Sequence, residues 1–177
     1  GFEVVIIDNL SNSIITVLEG ITAITGVKPI FEKIELRDKL MVVDFFKRHQ
    51  DIKGVIHFAA SKAVGESVEK PLLYYENNLN PLIYLLQELQ KKEAANFIFS
   101  SSCTVYGQAD LLPITESAPI KKAASPYGNT KQIGEEIIID TCKVVPHLKA
   151  IALRYFNPIG AHESIKIGEL PIGTPQN

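Results

Sequence analysis

The stretch Gly54-Val-Ile-His-Phe-Ala-Ala-Ser-Lys62 decides the fold. Apart from His57, its opening is a nearly continuous apolar run, the pattern of a strand buried on both faces of a parallel sheet. The run then ends in Ala59, Ala60 and Ser61. Side chains this small let a ligand approach the backbone at the carboxyl edge, where open α/β sheets bind their ligands. Lys62 there offers a positive charge to a phosphate or ribose; a core strand followed by a solvated lysine is the equal alternative.

On either side the same rhythm repeats. Phe2–Ile7, Asn96–Phe99 and Lys149–Tyr155 read as further strands, with a weaker candidate at Lys28–Leu36. Helical patterns separate them at Ser13–Thr22, Arg37–His49, Pro71–Lys92 and Pro126–Val144. Parallel strands need crossover connections, so this alternation predicts an α/β fold, a doubly wound parallel sheet with helices on both faces. Pro81 is expected to kink or divide its helix. The tail Pro158–Asn177 reads as a long loop. No internal repeat or low-complexity tract interrupts the pattern.

The composition sets bounds on this reading. The chain has 177 residues, 46% hydrophobic, which suits one globular domain with a sizeable core. A net charge of −2 gives no electrostatic footprint for nucleic acid or an anionic membrane, and no apolar run approaches the ~20 residues that span a bilayer. Two cysteines, Cys103 and Cys142, are too few for a disulfide scaffold and point to a reduced, cytoplasmic setting. Cys103 reads as a small core residue, the four histidines as structural, and no metal site is expected. The only methionine is Met41 and the first residues read as a strand already under way, so the chain is expected to be a fragment.

Three further segments carry chemistry. Asp8 closes the first strand, where an acidic residue binds ribose hydroxyls in a dinucleotide-binding unit, although alone it is an ordinary turn or cap residue. The Gly-rich phosphate loop that should precede it is absent, Gly20 and Gly26 being isolated. In Phe97-Ile-Phe-Ser-Ser-Ser-Cys-Thr-Val-Tyr-Gly107 a buried strand runs into three serines whose hydroxyls can donate to and accept from a substrate oxygen. No Gly-x-Ser-x-Gly elbow surrounds them, so a hydrolase is a weak reading. In Ser125-Pro-Tyr-Gly-Asn-Thr-Lys131, Ser125 suits a helix cap and Pro126 its first turn. Tyr127 and Lys131 then share a helix face. An ammonium beside a phenol is expected to lower its pKa from about 10 and make it a general base.

Taken with Val5-Ile-Ile-Asp-Asn-Leu-Ser-Asn-Ser13, Tyr74-Tyr-Glu-Asn-Asn78 and Leu153-Arg-Tyr-Phe-Asn-Pro-Ile-Gly-Ala-His162, these segments resemble the extended short-chain dehydrogenase/reductase family, in its branch that inverts C4 of UDP-sugars. The resemblance implies an NAD-binding Rossmann-like domain, here residues 1–157 without its first strand and Gly-rich loop, and the opening of a nucleotide-sugar domain at 158–177. It implies Tyr127 as base, Lys131 as its electrostatic partner and ribose anchor, both touching NAD, and Ser102 as the hydroxyl bridging substrate and tyrosine. Asp8 and Asn9 would hold the adenosine ribose, with Glu35 near the adenine in place of the family's usual Asp. Phe58, Ala59, Ala60 and Lys62 would line the pyrophosphate and nicotinamide ribose; Asn77 would touch NAD and Phe156 would pack by the nicotinamide. Lys62, Ser102, Tyr127, Asn157 and Asn177 would contact the UDP-sugar.

The implied reaction is NAD-dependent interconversion of UDP-glucose and UDP-galactose, with little activity expected of this chain alone and a homodimer formed through Pro71–Lys92 and Pro126–Val144. A 4,6-dehydratase would need Thr-Asp-Glu where Ser102-Cys103-Thr104 stands. Epimerases acting on UDP-glucuronate or UDP-N-acetylglucosamine, and a non-catalytic nucleotide-binding sensor, are the alternatives.

Overall fold

The computed structural model describes residues 2–168, so Asn177 lies outside the described residues. Among the described residues five strands alternate with helices, paired in parallel within each of two sheets: β1 Val5–Asp8, α1 Val17–Thr25, β2 Ile30–Lys33, α2 Lys39–Arg48, β3 Gly54–His57, α3 Val64–Glu69, α4 Pro71–Leu89, β4 Ala95–Ser102, α5 Pro126–Val144 and β5 Leu148–Tyr155. A 3-10 turn, Cys103–Tyr106, continues directly from β4. The chain divides into two compact units, one formed by residues up to Glu35 together with those from Asn157 onward, the other by Leu36–Phe156.

In the first unit β1 pairs with β2, Val5 opposite Ile30 and Asp8 opposite Lys33. Helix α1 starts at Val17 rather than Ser13 and ends at Gly26, whose φ of 73° is the left-handed cap that glycine supplies without strain. The chain returns against this helix at Gly20, where an added Cβ would lie 2.4 Å from the Lys166 carbonyl oxygen.

The second unit is built on the sheet β3-β4-β5, wholly parallel, with His57 opposite Phe99 and Ser102 opposite Tyr155. Alternation along β4 turns Phe97, Phe99 and Ser101 to one face, where all three are buried. That face is covered by α4 and α5: Leu82 from α4 and Gly134 from α5 meet on the ring of Phe99. The other face carries Ile56 and Ile151, each 60% exposed. The apolar runs were expected to be buried on both faces; among the described residues both long helices of this unit pack on one.

Local chemistry sets the helix ends. The Asp38 carboxylate caps α2 by accepting from the backbone N–H groups of Leu40 and Met41. Ser125 caps α5, its hydroxyl accepting from the Gly128 N–H at 3.1 Å, with Pro126 in the first turn. Pro81 does not divide α4, which runs unbroken for 19 residues. Proline removes one N–H···O=C bond, to the carbonyl four residues earlier. Here that carbonyl belongs to Asn77, and burial of Tyr74, Leu82, Leu85 and Leu89 along the same helix outweighs the loss.

The approach of α5 to β4 depends on Gly134. A Cβ there would stand 2.8 Å from Phe99 Cζ and 3.3 Å from Leu82 Cδ2, both on buried side chains. Helix propensity alone favours alanine over glycine by roughly 0.5–1 kcal/mol, whereas overpacking a core costs about 1–3 kcal/mol. Gly134→Ala is therefore expected to lower stability by about 1 kcal/mol net in urea denaturation; a gain in stability would show that this contact is not tight.

Candidate active site

Strand β4, the turn after it and the first two turns of α5 bring Ser102, Tyr127 and Lys131 to the carboxyl edge of the three-stranded sheet. Lys131 is 4% exposed. Its ammonium donates to the Ser100 carbonyl at 2.7 Å and lies 4.9 Å from the centre of the Phe99 ring and 5.7 Å from that of Tyr127. Burial lowers its pKa to about 8. A lysine has three donors, and the bond to Ser100 uses one, so capacity remains for ligand hydroxyls.

The Tyr127 phenol is half-buried, and its pKa is raised, not lowered. Burial is the main cause, and the thiol of Cys103 adds to it. The Ser102 hydroxyl and the Lys62 charge pull the other way. The expectation that Lys131 makes this phenol acidic is thus corrected for the ligand-free chain. The ammonium is turned to a backbone carbonyl of β4, and burial disfavours phenolate more strongly than its neighbours favour it. Ser102 is itself held in place, its oxygen accepting from Thr104 N at 3.2 Å and Thr104 Oγ1 at 2.9 Å. Cys103, read as a core residue, is only half-buried at the start of the 3-10 turn.

Beneath the serines lies a charged pair. Glu135 accepts from Ser101 Oγ at 2.5 Å and from Arg154 through Nε at 3.0 Å and a terminal nitrogen at 2.7 Å. Arg154 also stacks on Tyr106, 4.8 Å from its centre. This fork ties α5, β4, β5 and the turn together below Ser102. The sequence reading missed Glu135, whose partners Ser101 and Arg154 lie 34 and 19 positions away.

The other expected residues of this unit lie along the same edge. Phe58, Ala59 and Lys62 are exposed, Ala60 is half-buried, and Phe156 is 54% exposed just past β5. Asn77 is half-buried, its amide donating to Ser61 Oγ at 3.0 Å. Sequence reasoning missed its neighbour Asn78, a buried amide hydrogen-bonded to both Ser61 and Thr130. The only available signal was a polar residue on the apolar side of a helix.

In the first unit, Asp8 Oδ1 accepts from Leu10 N at 2.5 Å and Ser13 Oγ at 3.0 Å, shaping a turn in which Leu10 has φ 58°. Asn9 donates to Glu35 Oε2 at 3.0 Å. These three polar groups therefore cluster at the carboxyl end of β1. Asn157 is exposed. Among the described residues no group of three or more His, Cys, Asp or Glu could hold a metal, and no helix is long and apolar enough to cross a membrane.

His57, 4% exposed at the end of β3 with the ring centres of Phe97 and Phe99 6.1 and 6.2 Å away, has its pKa lowered to about 3, by burial first and the Lys131 charge second. The folded state thus binds fewer protons than the unfolded chain between pH 3 and 6.5. Stability falls as pH drops through that window, by on the order of 4 kcal/mol in total. His57→Phe is expected to flatten the decline in urea midpoint between pH 7 and 4. An unchanged slope would place the acid sensitivity elsewhere.

Known proteins are similar to this chain in sequence and fold. The UDP-glucose 4-epimerase of Haemophilus influenzae is 46% identical over 177 residues, covering 100% of this chain and 52% of that protein. The Schizosaccharomyces pombe UDP-glucose 4-epimerase uge1 is 47% identical over 181 residues, covering 100% and 50%. The crystal structure of UDP-glucose 4-epimerase from Bifidobacterium longum in complex with NAD+ and UDP superposes with a TM-score of 0.94 at 44% identity, covering 100% of this chain and 52% of that one. The chain thus spans about half the length of the curated relatives it matches. Residues 1–169 match the NAD dependent epimerase/dehydratase family, and the chain belongs to that family.

Proposed function

We propose that the full-length polypeptide interconverts UDP-glucose and UDP-galactose by transient oxidation at C4 of the sugar. The observation that carries this reading is the meeting of a serine hydroxyl, a phenol and a buried ammonium at one sheet edge, in a chain whose relatives are named for that activity.

The residues present suit NAD. Beyond β3 the backbone is lined by nothing larger than a methyl group at Ala59 and Ala60, open to a ligand's ribose and phosphates. Lys131 and Lys62 supply cations, Asn77 an amide, and Phe58 and Phe156 exposed aromatic faces for the nicotinamide side. Asp8, Asn9 and Glu35 supply acceptors and an amide suited to the adenosine end. When bound, NAD supplies the reversible hydride acceptor for C4.

Everything else falls to side chains of this chain. Tyr127 takes the proton of the 4-hydroxyl, directly or through Ser102, and later returns it. An ordinary phenol is protonated at neutral pH and burial raises this one further, so its deprotonation accompanies ligand binding. Lys131 and Lys62 then hold the phenolate, and Ser102 keeps the sugar oxygen within reach of it. The keto sugar turns over between the two half-reactions and offers its opposite face, so the net change is isomerisation. Asn157 and Asn177 would hold the UDP-sugar while it turns.

The same reading assigns residues 1–157 to the NAD-binding domain and 158–177 to the opening of the sugar-binding one. It sets the protein in the cytoplasm, in galactose metabolism, as a homodimer through α4 and α5. Exposed Leu72 on α4 and Ile139 and Val144 on α5 support that surface.

Tyr127→Phe in the full-length polypeptide is expected to cut epimerisation in a coupled UDP-galactose assay by about 10²–10⁴-fold, the size of a lost general base. Undiminished turnover would overturn the reading.

A further inference from the structure

We propose that Asn78 is a positioning residue: its side-chain amide ties the Ser61–Lys62 loop to the helix bearing Tyr127 and so sets where the Lys62 ammonium stands beside the phenol. The inference rests on the epimerase reading for its kinetic consequence only.

Asn78 lies in α4 and is 4% exposed. A primary amide has two lone pairs and two N–H groups to satisfy, and all four are used here. Oδ1 accepts from the Ser61 backbone N–H at 2.8 Å and from Asn77 Nδ2 at 3.2 Å. Nδ2 donates to the Ser61 carbonyl at 3.0 Å and to Thr130 Oγ1 at 3.1 Å. The pairing with Ser61 engages both the N–H and C=O of one residue, so it fixes the orientation of the backbone from which Lys62 follows directly. The Thr130 hydroxyl accepts from Asn78 and passes its own proton to the Tyr127 carbonyl at 2.7 Å. One buried side chain therefore joins three elements: the loop after β3, the middle of α4 and the first turn of α5.

A leucine of similar size would fill the space but leave the buried groups of Ser61 and Thr130 without these partners. The amide is thus specified by its connections. The phenol at the far end of the link is faced by Ser102 from β4, Cys103 from the 3-10 turn, Tyr74 from α4, Lys131 from its own helix and Lys62 from the tethered loop. Of these, the Lys62 charge is one that favours phenolate, and it reaches the site on a loop rather than on a strand or helix. Its effect therefore depends on what holds the loop.

The test is a phenolate absorbance titration of the full-length protein, with Tyr127→Phe subtracted to isolate Tyr127. Asn78→Leu is expected to raise the Tyr127 midpoint by about one unit. It should also lower kcat roughly 10–100-fold with KM for the UDP-sugar little changed, the mark of misplaced groups rather than lost substrate affinity. In a Lys62→Ala background the same substitution should leave the midpoint where Lys62→Ala alone puts it. An unmoved Tyr127 midpoint, or a full further shift on top of Lys62→Ala, would overturn the proposal and leave Asn78 a stabilising residue only. If Asn78→Leu does not fold, Thr130→Val cuts the helix side of the link alone and is expected to shift the midpoint in the same direction; no shift there overturns it equally. These titrations need no turnover, so a parent protein without epimerase activity would refute the functional reading and leave this test standing.

Discussion

The site depends on a buried ammonium. Lys131 has its charge next to the rings of Phe99 and Tyr127 and hydrogen-bonds to the backbone of β4 at Ser100. An isolated ammonium in such surroundings would be costly, so the bond to Ser100 fixes α5 against the strand at one register. Gly134, one turn further along, allows the approach because it presents no Cβ to Phe99. Once that register is fixed, the remaining geometry follows. Tyr127 stands one turn before Lys131 on the same face, and Ser102 lies two residues beyond Ser100, at the end of the same strand. The Glu135–Arg154 fork below adds a second, charged tie between the same elements.

This arrangement explains why proximity of lysine and tyrosine does not by itself yield a base. Burial acts on both groups in the direction that opposes charge: it raises the phenol and lowers the ammonium. The free site therefore rests with the phenol protonated, the nearby Lys62 charge and the Ser102 hydroxyl opposing burial without outweighing it.

Much of this was legible in the sequence because strong local signals coincided with tertiary ones. Helix α5 spans the expected Pro126–Val144, since Ser125 and Pro126 mark its start and the apolar stripe carries it to the end. Strand β4 extends to Ser102, beyond the expected Phe99: serines carry no strand signal, and pairing with β5 as far as Tyr155 is what holds them extended. Helix α3 and the turn at Cys103–Tyr106 were not read, being too short to show a period. Pro81 was over-weighted, because a local penalty was set against tertiary burial that the sequence does not display. The Tyr127–Lys131 pair was legible from its four-residue spacing, and Ser102 only from the family resemblance. Asn78, Glu135 and Arg154 were not, because Ser61 and Thr130 lie 17 and 52 positions from Asn78, and Arg154 and Ser101 lie 19 and 34 from Glu135.

On the proposed mechanism Tyr127 rests protonated and becomes a base only when ligand is bound. The most direct measurement is the Tyr127 phenolate titration of the full-length protein, taken without ligand and again with saturating NAD⁺. The expected result is a ligand-free midpoint above 10 that moves downward when the nucleotide is bound. A ligand-free midpoint near neutrality, or one that NAD⁺ leaves in place, would contradict it.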